Sequence, residues 1–430
     1  MKILTVLAFS FFTLLYCIST PAQADSSQSI QKQIEELKMQ IEKLEQQMNS
    51  KTDDTATGSP EAWHSEIKVK TKKGTGLTFQ TTDNNYKLRM SFFGQFMANY
   101  TDPDTDMDDN ESLGFSTKSL WVIWDGNAFA PWMKYTVQYD LSGGGALKDM
   151  RLSFAKNKAF IPTIGQYKVP FNREFLNSVT AMQFVGTSII TDYFQYGRDI
   201  GTGVYGFLGV GMIRYDAGIF QGEGPITKND KGDKSLLWAG RVQASFAGGN
   251  AKKVIENFAE EPTLMVGAAI AGTGGSDTNI GIPSGERKVP HTGTTTSFTA
   301  DINYSNPRFS LTGEYIGRWA DVDETGVGDL YDYGFRVQGG FFVIPKKIEI
   351  ASRYAMVVFD DEAPAVLKKV GEVEDVEADK IWTFTQGLNY YLAGNHRWKM
   401  QLDYTFRRTK SLSGEETDDN MVRAQVQTYF

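Results

Sequence analysis

Residues 420–430 read Asn-Met-Val-Arg-Ala-Gln-Val-Gln-Thr-Tyr-Phe, an alternation of small or apolar side chains with polar ones. Side chains on a β-strand point to opposite faces in turn, so one face would carry Val422, Ala424, Val426, Thr428 and Phe430, and the other Arg423, Gln425, Gln427 and Tyr429. The first face suits hydrocarbon and the second suits water, over about the length of a membrane-spanning strand. The edge of a soluble sheet would show the same alternation, so the interpretation depends on whether the chain repeats it.

The alternation recurs from about residue 86 onward. The clearest example sets Trp398, Met400, Leu402, Tyr404 and Phe406 against Lys399, Gln401, Asp403, Thr405 and Arg407. Counting such segments predicts about sixteen strands, joined by short turns and by longer acidic loops such as residues 320–330 and 360–380. The pattern predicts an all-β protein, a transmembrane antiparallel β-barrel. A soluble sandwich would bury the charged face at severe cost, and its strands tend to be shorter.

Composition supports this fold class. The chain has 430 residues, of which 41% are hydrophobic and 13% aromatic, and its mean hydropathy of -0.34 is too low for a helical membrane protein. Barrel strands are only half apolar, so the same value suits a barrel. The formal net charge of -8 and the lack of a long basic run exclude a nucleic-acid binder.

Residues 1–24 are predicted to be a secretory signal peptide. Lys2 supplies the positive start, residues 3–17 the apolar run, and Ala22-Gln23-Ala24 the cleavage site, with cleavage after Ala24. A membrane anchor would need a longer run, and a lipoprotein site at Cys17 would need a small residue in place of Tyr16. Cleavage would remove the single cysteine, so the mature chain would have no disulfide and no thiol chemistry.

Residues 25–50 have a helical period instead. The apolar positions Ile30, Ile34, Leu37, Ile41, Leu44 and Met48 are spaced four, three, four, three and four residues apart. This spacing predicts a coiled coil, and a lone amphipathic helix is the alternative. Isoleucine at a with leucine at d favours a dimer in a free peptide, although an attached domain can impose another number. Residues 51–75 are assigned to a linker and residues 76–430 to the barrel.

The polar face of the predicted barrel carries both signs of charge. Its basic positions include Arg89, Lys134, Arg151, Lys399, Arg407 and Arg423, assigned to the lumen wall, and Arg241, Arg336 and Arg353, assigned to the anion path. Basic positions outnumber acidic ones, which favours anions weakly, because anion pores use rings of Arg or Lys. The alternative is that most of these charges pair with neighbours and only solvate the wall.

Residues 165–203 depart from the alternation. Pro170 cannot donate to a strand ladder, and about thirty residues follow without a period of two. Their Phe, Val, Ile and Tyr content argues against disorder. We predict that this segment folds into the barrel and narrows the pore, with Lys168, Arg173 and Arg198 at the constriction. The alternative is an extracellular loop packed at a subunit interface.

Several motifs resemble the phosphate-selective porin O and P family. They are Leu88-Arg89-Met90, Gly165-Gln166-Tyr167-Lys168-Val169-Pro170-Phe171, Gly197-Arg198-Asp199-Ile200-Gly201, the run from Val337 to Glu349, and Gly387-Leu388-Asn389-Tyr390-Tyr391. The resemblance implies a sixteen-stranded trimeric barrel in the outer membrane of a Gram-negative bacterium, with a lumen that conducts small anions. It also implies a periplasmic coiled coil and an aromatic insertion signal at Phe430. Where the family carries a dense arginine ladder, this chain has Gln95 and Thr117-Lys118-Ser119.

The sequence therefore predicts an outer-membrane porin for passive diffusion of small solutes, with a preference for anions and with phosphate among the candidates. The alternative is a structural tether whose coiled coil contacts the cell wall. An enzyme is not expected, because the only histidines, His64, His291 and His396, are far apart and no thiol nucleophile remains. No metal or cofactor is expected. The expected partners are outer-membrane lipid, two further copies of the chain in a homotrimer, and small anionic solutes.

Overall fold

The computed structural model describes residues 66–71, 76–103, 111–222, 224–226, 236–246, 251, 256–275, 293–321, 329–361 and 378–430. It also describes Glu35, Met39 and Lys43, each of which is helical. The chain divides into two compact units, Met1–His64 and Ser65–Phe430. The predicted signal peptide lies outside the described residues, and so does the predicted coiled coil apart from those three positions. No helix among the described residues is both long and apolar enough to cross a lipid bilayer.

The second unit consists mainly of β-strands. Its strands are β1 (Ile67–Thr71), β2 (Leu77–Thr81), β3 (Lys87–Pro103), β4 (Ser112–Asn127), β5 (Met133–Asp140), β6 (Ala146–Phe154), β7 (Ile161–Lys168), β8 (Arg198–Leu208), β9 (Ile213–Phe220), β10 (Leu237–Phe246), β11 (Thr263–Gly275), β12 (Gly293–Ser305), β13 (Phe309–Ala320), β14 (Leu330–Ile344), β15 (Ile348–Val358), β16 (Ala378–Tyr391), β17 (Trp398–Ser411) and β18 (Glu416–Tyr429). The helices are α1 (Arg173–Leu176) and α2 (Ile189–Phe194), and short 3-10 turns occur at Ser142–Gly144, Val179–Ala181 and Gly209–Gly211.

Strands β3 to β18 form a closed antiparallel barrel of sixteen strands, which confirms the predicted fold. Each strand pairs with the next along the chain. β18 then pairs with β3, with Ala424 opposite Ala98, so the strand predicted at residues 420–430 closes the barrel. Closure leaves no unpaired edge within the barrel, which is what a spanning sheet requires.

A short hairpin extends the sheet beyond the barrel. β18 stops opposite Phe92, where Phe92 and Phe430 exchange backbone hydrogen bonds of 2.6 and 3.0 Å. β2 then continues the pairing along β3, with Leu77 opposite Met90, and β1 pairs with β2. The sheet therefore begins at β1, inside residues 51–75, which the sequence assigned to the linker.

The predicted two faces are present in the barrel wall. In β10, Trp238 and Val242 are exposed on the outside, whereas Arg241 and Gln243 on the other face are buried inside the lumen. The outer face suits lipid, and the polar residues face a lumen that loops partly fill. One end of the barrel carries tight turns, such as the one at Lys346, whose φ is 59°. That end also carries one long connection, residues 247–262, between β10 and β11.

Candidate channel and constriction loop

Residues 169–197, between β7 and β8, lie inside the barrel. We call this segment the constriction loop. Its apolar residues Val169, Phe171, Ile190 and Phe194 are at most 4% exposed and form a core with the far wall of the barrel. The wall residues of that core include Ala239, Ala269, Ala271, Ile316, Ala355, Val357 and Ile381. The apolar content that argued against disorder in this segment therefore packs against strands β10 to β16.

An ion-paired network joins the constriction loop to the same wall. The Arg173 guanidinium lies 3.3 Å from Asp301, and the Arg241 guanidinium lies 2.6 Å from the other oxygen of that carboxylate. Arg241 also donates to the Phe171 carbonyl at 3.0 Å. The Arg173 amide donates to Glu314 at 2.5 Å. The ion pairs between the loop and the wall are thus almost fully buried.

Arg336 is the centre of the second part of this network. Its guanidinium lies 2.9 Å from Glu314, 3.7 Å from Glu174 and 3.9 Å from Glu256. Arg353 adds a contact of 3.2 Å to Glu174. Burial by itself would raise the pKa of Glu174, but Arg336 and Arg353, with hydrogen bonds from Ser188 and Thr191, lower that pKa to about 2. Glu174 is therefore ionised at neutral pH and holds the loop to the wall.

Residues 256–259, in the connection between β10 and β11, also enter the lumen, from the opposite end. Glu256 and Asn257 are buried, and Asn257 donates to the Glu349 carboxylate at 2.9 Å. The Phe258 ring lies 4.7–4.9 Å from the rings of Phe342, Tyr391 and His396. We call residues 256–259 the inward turn.

The constriction loop and the inward turn contact each other inside the lumen. The Gln183 amide of the constriction loop donates to Glu256 at 3.4 Å, and the Gln183 side chain donates to Glu349 at 2.7 Å. Burial raises the pKa of Glu256, although Arg336 opposes this effect. Burial also disfavours the charged form of His396 and holds its pKa well below the ordinary value, so His396 is neutral. The constriction loop and the inward turn thus occupy the lumen beside strands β10 to β17.

An open cavity of about 660 Å³ remains on the other side of the constriction loop, against strands β4 to β9. Among the described residues, six basic and two acidic side chains line it. They are Lys134, Arg151, Lys158, Lys168, Arg198 and Arg214, with Asp149 and Asp216. The basic positions extend along the cavity, from Lys158 in the turn before β7 to Arg198 at the start of β8 beside the loop.

Three of these six cations have partners that use their charge or their donors. Arg214 binds Asp216 through two hydrogen bonds of 2.7 Å, and Arg198 lies 3.1 Å from Asp149. Lys168 donates to the carbonyls of Phe175 and Asn177 at 2.5 and 2.8 Å. The other three are exposed to the lumen: Lys134, Arg151 and Lys158. In the part of the chain that the structure describes, no carboxylate lies within 4 Å of their charged groups.

The structure divides the sequence-predicted constriction residues into two groups. Lys168 and Arg198 line the open cavity, opposite each other at the root of the constriction loop. Arg173, Arg241, Arg336 and Arg353 are at most 4% exposed and belong to the buried network. That network lies on the filled side of the lumen, away from the cavity.

The predicted lumen-wall residues also differ in their surroundings. Lys134 and Arg151 line the cavity. Arg89 lies 2.6 Å from Asp125, Arg423 lies 2.8 Å from Asp403, and Arg407 lies 3.9 Å from Asp419. Lys399 is fully buried and donates to the Met182 carbonyl at 2.6 Å.

Lys158 and Arg214 line the cavity but were not singled out from the sequence. Arg214 and Asp216 alternate with Ile213, Ala217 and Ile219 at a period close to two, so the signal for Arg214 was present. Lys158 lies in a turn, where no period exists. Among the described residues, no group of three or more His, Cys, Asp or Glu side chains is arranged to hold a metal ion.

Residues 85–430 match the family model for phosphate-selective porin O and P. The chain belongs to this porin family. No curated protein matches the chain in a sequence search. Among solved structures it is similar to the outer membrane channel DcaP of Acinetobacter baumannii, with a TM-score of 0.55 and 11% identity over 80% of this chain and 97% of that one.

Two further structures are similar to this porin. The anion-selective porin from Comamonas acidovorans has a TM-score of 0.52 and 13% identity, over 80% of this chain and 99% of that chain. The trimer form of OmpT from Vibrio cholerae has a TM-score of 0.51 and 14% identity, over 79% of this chain and 99% of that chain. At these identities the similarity is one of fold.

Proposed function

We propose that this porin is a passive, anion-preferring diffusion channel whose path follows the cavity beside β4 to β9. The observation that carries the proposal is the excess of cations there, six against two, with three of the six lacking a carboxylate partner among the described residues. A wet wall with excess positive charge raises the local concentration of anions and repels cations. Inorganic phosphate is one of the small anions that this path would admit.

The proposal assigns different roles to the two groups of basic residues. Lys134, Arg151 and Lys158 attract the anion, and Lys168 and Arg198 border the path beside the constriction loop. The buried arginines of the network keep the loop in place and do not meet the solute. No step of chemical conversion is involved, so the protein acts as a channel and not as an enzyme.

Reversal potentials in a planar bilayer under a salt gradient test this function. The native channel should prefer chloride to potassium, and K134Q/R151Q/K158Q should lose most of that preference with its conductance retained. K410Q is the matched control, because Lys410 lies outside the cavity lining, 3.9 Å from Asp379. A native channel that prefers cations, or that passes no current, would refute the proposal.

We also propose that the chain is exported by its signal peptide, is cleaved after Ala24, and forms a homotrimer in the outer membrane of a Gram-negative bacterium. The charged start, the apolar run and the heptads at residues 25–50 support this, together with the trimeric form in which OmpT of Vibrio cholerae was solved. Deletion of residues 26–50 tests the role of the heptads. Loss of trimers would assign them to assembly. Loss of attachment to the cell wall, with unchanged conductance, would favour the tether.

A further inference from the structure

The cavity has two chemically different sides. The strand side presents the three exposed cations Lys134, Arg151 and Lys158. The loop side presents Leu176 and Val179, both partly exposed. A solute in the cavity would therefore have positive charge on one side and hydrocarbon on the other.

The constriction loop presents this apolar side because its charged residues form ion pairs with the far wall of the barrel. Arg173 and Glu174 are buried against Asp301, Arg336 and Arg353 on the far wall. The helix that carries them ends at Leu176, whose side chain faces the cavity.

The polar groups on the loop side bond mainly within the loop. Ser178 lies between Leu176 and Val179, and its hydroxyl hydrogen-bonds the Thr180 hydroxyl at 2.8 Å. Lys168 gives its donors to two loop carbonyls. One hydrogen of the hydroxyl pair stays available, so the loop adds mainly apolar surface to the cavity and at most one hydroxyl donor.

Aromatic rings extend the apolar surface toward the turn end of the barrel. The Arg214 guanidinium lies over the rings of Tyr205 and Phe207, at 5.7 and 6.0 Å from their centres, while Asp216 binds it. This pairing neutralises Arg214 and leaves both rings in the cavity lining. A small inorganic oxyanion would be best held by donors on every side, whereas the exposed cations of this cavity lie on the strand side.

We infer that the cavity selects organic anions with an apolar body, of the aryl or short-chain alkyl carboxylate class, over inorganic phosphate. The carboxylate would lie against Lys134, Arg151 or Lys158, and the hydrocarbon body would lie against Leu176 and Val179. This inference rests on the proposed anion channel.

The test compares benzoate, acetate and inorganic phosphate as blockers of the chloride current in a planar bilayer. Benzoate and acetate carry the same charge and differ by the ring. Burying one ring face at the loop should make the half-blocking concentration of benzoate about tenfold lower than that of acetate. Phosphate should also be weaker than benzoate.

Variants separate the two sides of the cavity. L176N/V179T should reduce the benzoate-to-acetate ratio to about twofold. R151Q should weaken both blockers by a similar factor and preserve the ratio. L412N is the control for the loop-side change, because Leu412 is exposed and lies outside the cavity lining.

The outcomes distinguish the inference from the function on which it rests. An anion-preferring native channel that binds benzoate no better than acetate, or that binds phosphate more tightly, would overturn the inference alone. A ratio unchanged in L176N/V179T would also overturn it. A native channel without anion preference would refute the proposed function as well.

Discussion

The two halves of the lumen use charge in opposite ways. Beside β10 to β17, arginines and carboxylates are brought together out of water and hold two inserted segments against the wall. Beside β4 to β9, the lumen stays open and three basic side chains have no carboxylate partner among the described residues. The same residue type, arginine on the polar face of a strand, is therefore buried in ion pairs in one half and exposed to the open cavity in the other.

This difference shows that the position of the constriction loop decides the role of each lumen charge. A buried charge that loses its partner costs several kcal/mol, whereas a charge in water costs little to leave unpaired. Changes in the filled half should therefore alter the shape of the pore, and changes in the open half should alter its selectivity.

The largest effect is expected from Arg336. R336M leaves Glu314, Glu174 and Glu256 without their shared cation, and loss of one partner in a buried ionic network typically costs about 3–5 kcal/mol. The constriction loop should detach from the wall while the barrel stays closed by its backbone pairing. Single-channel conductance should rise several-fold.

Two further variants make this test decisive. R408Q removes an ion pair with Asp418 that is 36% and 27% exposed and should leave conductance unchanged. R336M/E256Q/E314Q removes charge from the partners as well, so it should return conductance toward the native value. If R336M conducts like the native channel, the network does not hold the loop.

The second effect is a dependence on pH. The folded-state pKa of Glu174 is about 2, below its ordinary value of 4.5, so its stabilisation is complete above pH 4.5 and is lost as the pH falls toward 2. The size is about 3 kcal/mol at most. Current noise from loop motion should grow between pH 4.5 and 2.5, and in E174Q the noise should not depend on pH over that range.

Glu256 should act with the opposite sign. Its raised pKa means that the folded state favours the protonated carboxyl, so its cost is present at neutral pH and is relieved in acid. E256Q should therefore reduce the current noise at neutral pH. A current noise that is higher in E256Q than in the native channel would contradict this assignment.

A smaller effect is expected from the inward turn. F258A removes the ring that contacts Phe342, Tyr391 and His396, at a cost of about 2 kcal/mol because Phe258 is only partly buried. Backbone amides of residues 256–259 should exchange with solvent faster, and conductance should rise less than in R336M. F115A is the control, since Phe115 is 86% exposed on the outer face. Equal exchange in F258A and the native chain would show that the ring does not anchor the turn.

The sequence predicted the barrel well because a period of two is local. The alternation of adjacent residues predicts that Trp398 and Val337 point outward and that Lys399 and Arg336 point inward. The inward position of the constriction loop followed from its length and its apolar content. What could not be predicted is which lumen charges the loop would cover. Arg336 meets Glu174 across 162 residues of chain, and no local pattern encodes that contact.

The contacts of the inward turn also could not be predicted from local sequence. Glu256 and Asn257 are polar residues in a connection that is rich in Gly, Ala, Lys and Glu. Their burial depends on Glu349 and His396, which lie far away in the sequence. Local composition alone would assign these residues to the solvent.

The smallest effect is expected from the Arg89–Asp125 pair. This pair tests directly whether burial separates the two halves of the lumen. Its distance is 2.6 Å, against 2.9 Å for Arg336–Glu314, and both pairs join neighbouring strands. The side chains of the first pair are 37% and 26% exposed, and those of the second are fully buried. Because water screens the exposed pair, R89Q should change the unfolding free energy by less than about 1 kcal/mol and leave conductance unchanged. Denaturant titration in detergent micelles measures the first quantity and bilayer recording the second. If R89Q proves as damaging as R336M, burial is not what separates the two halves of the lumen.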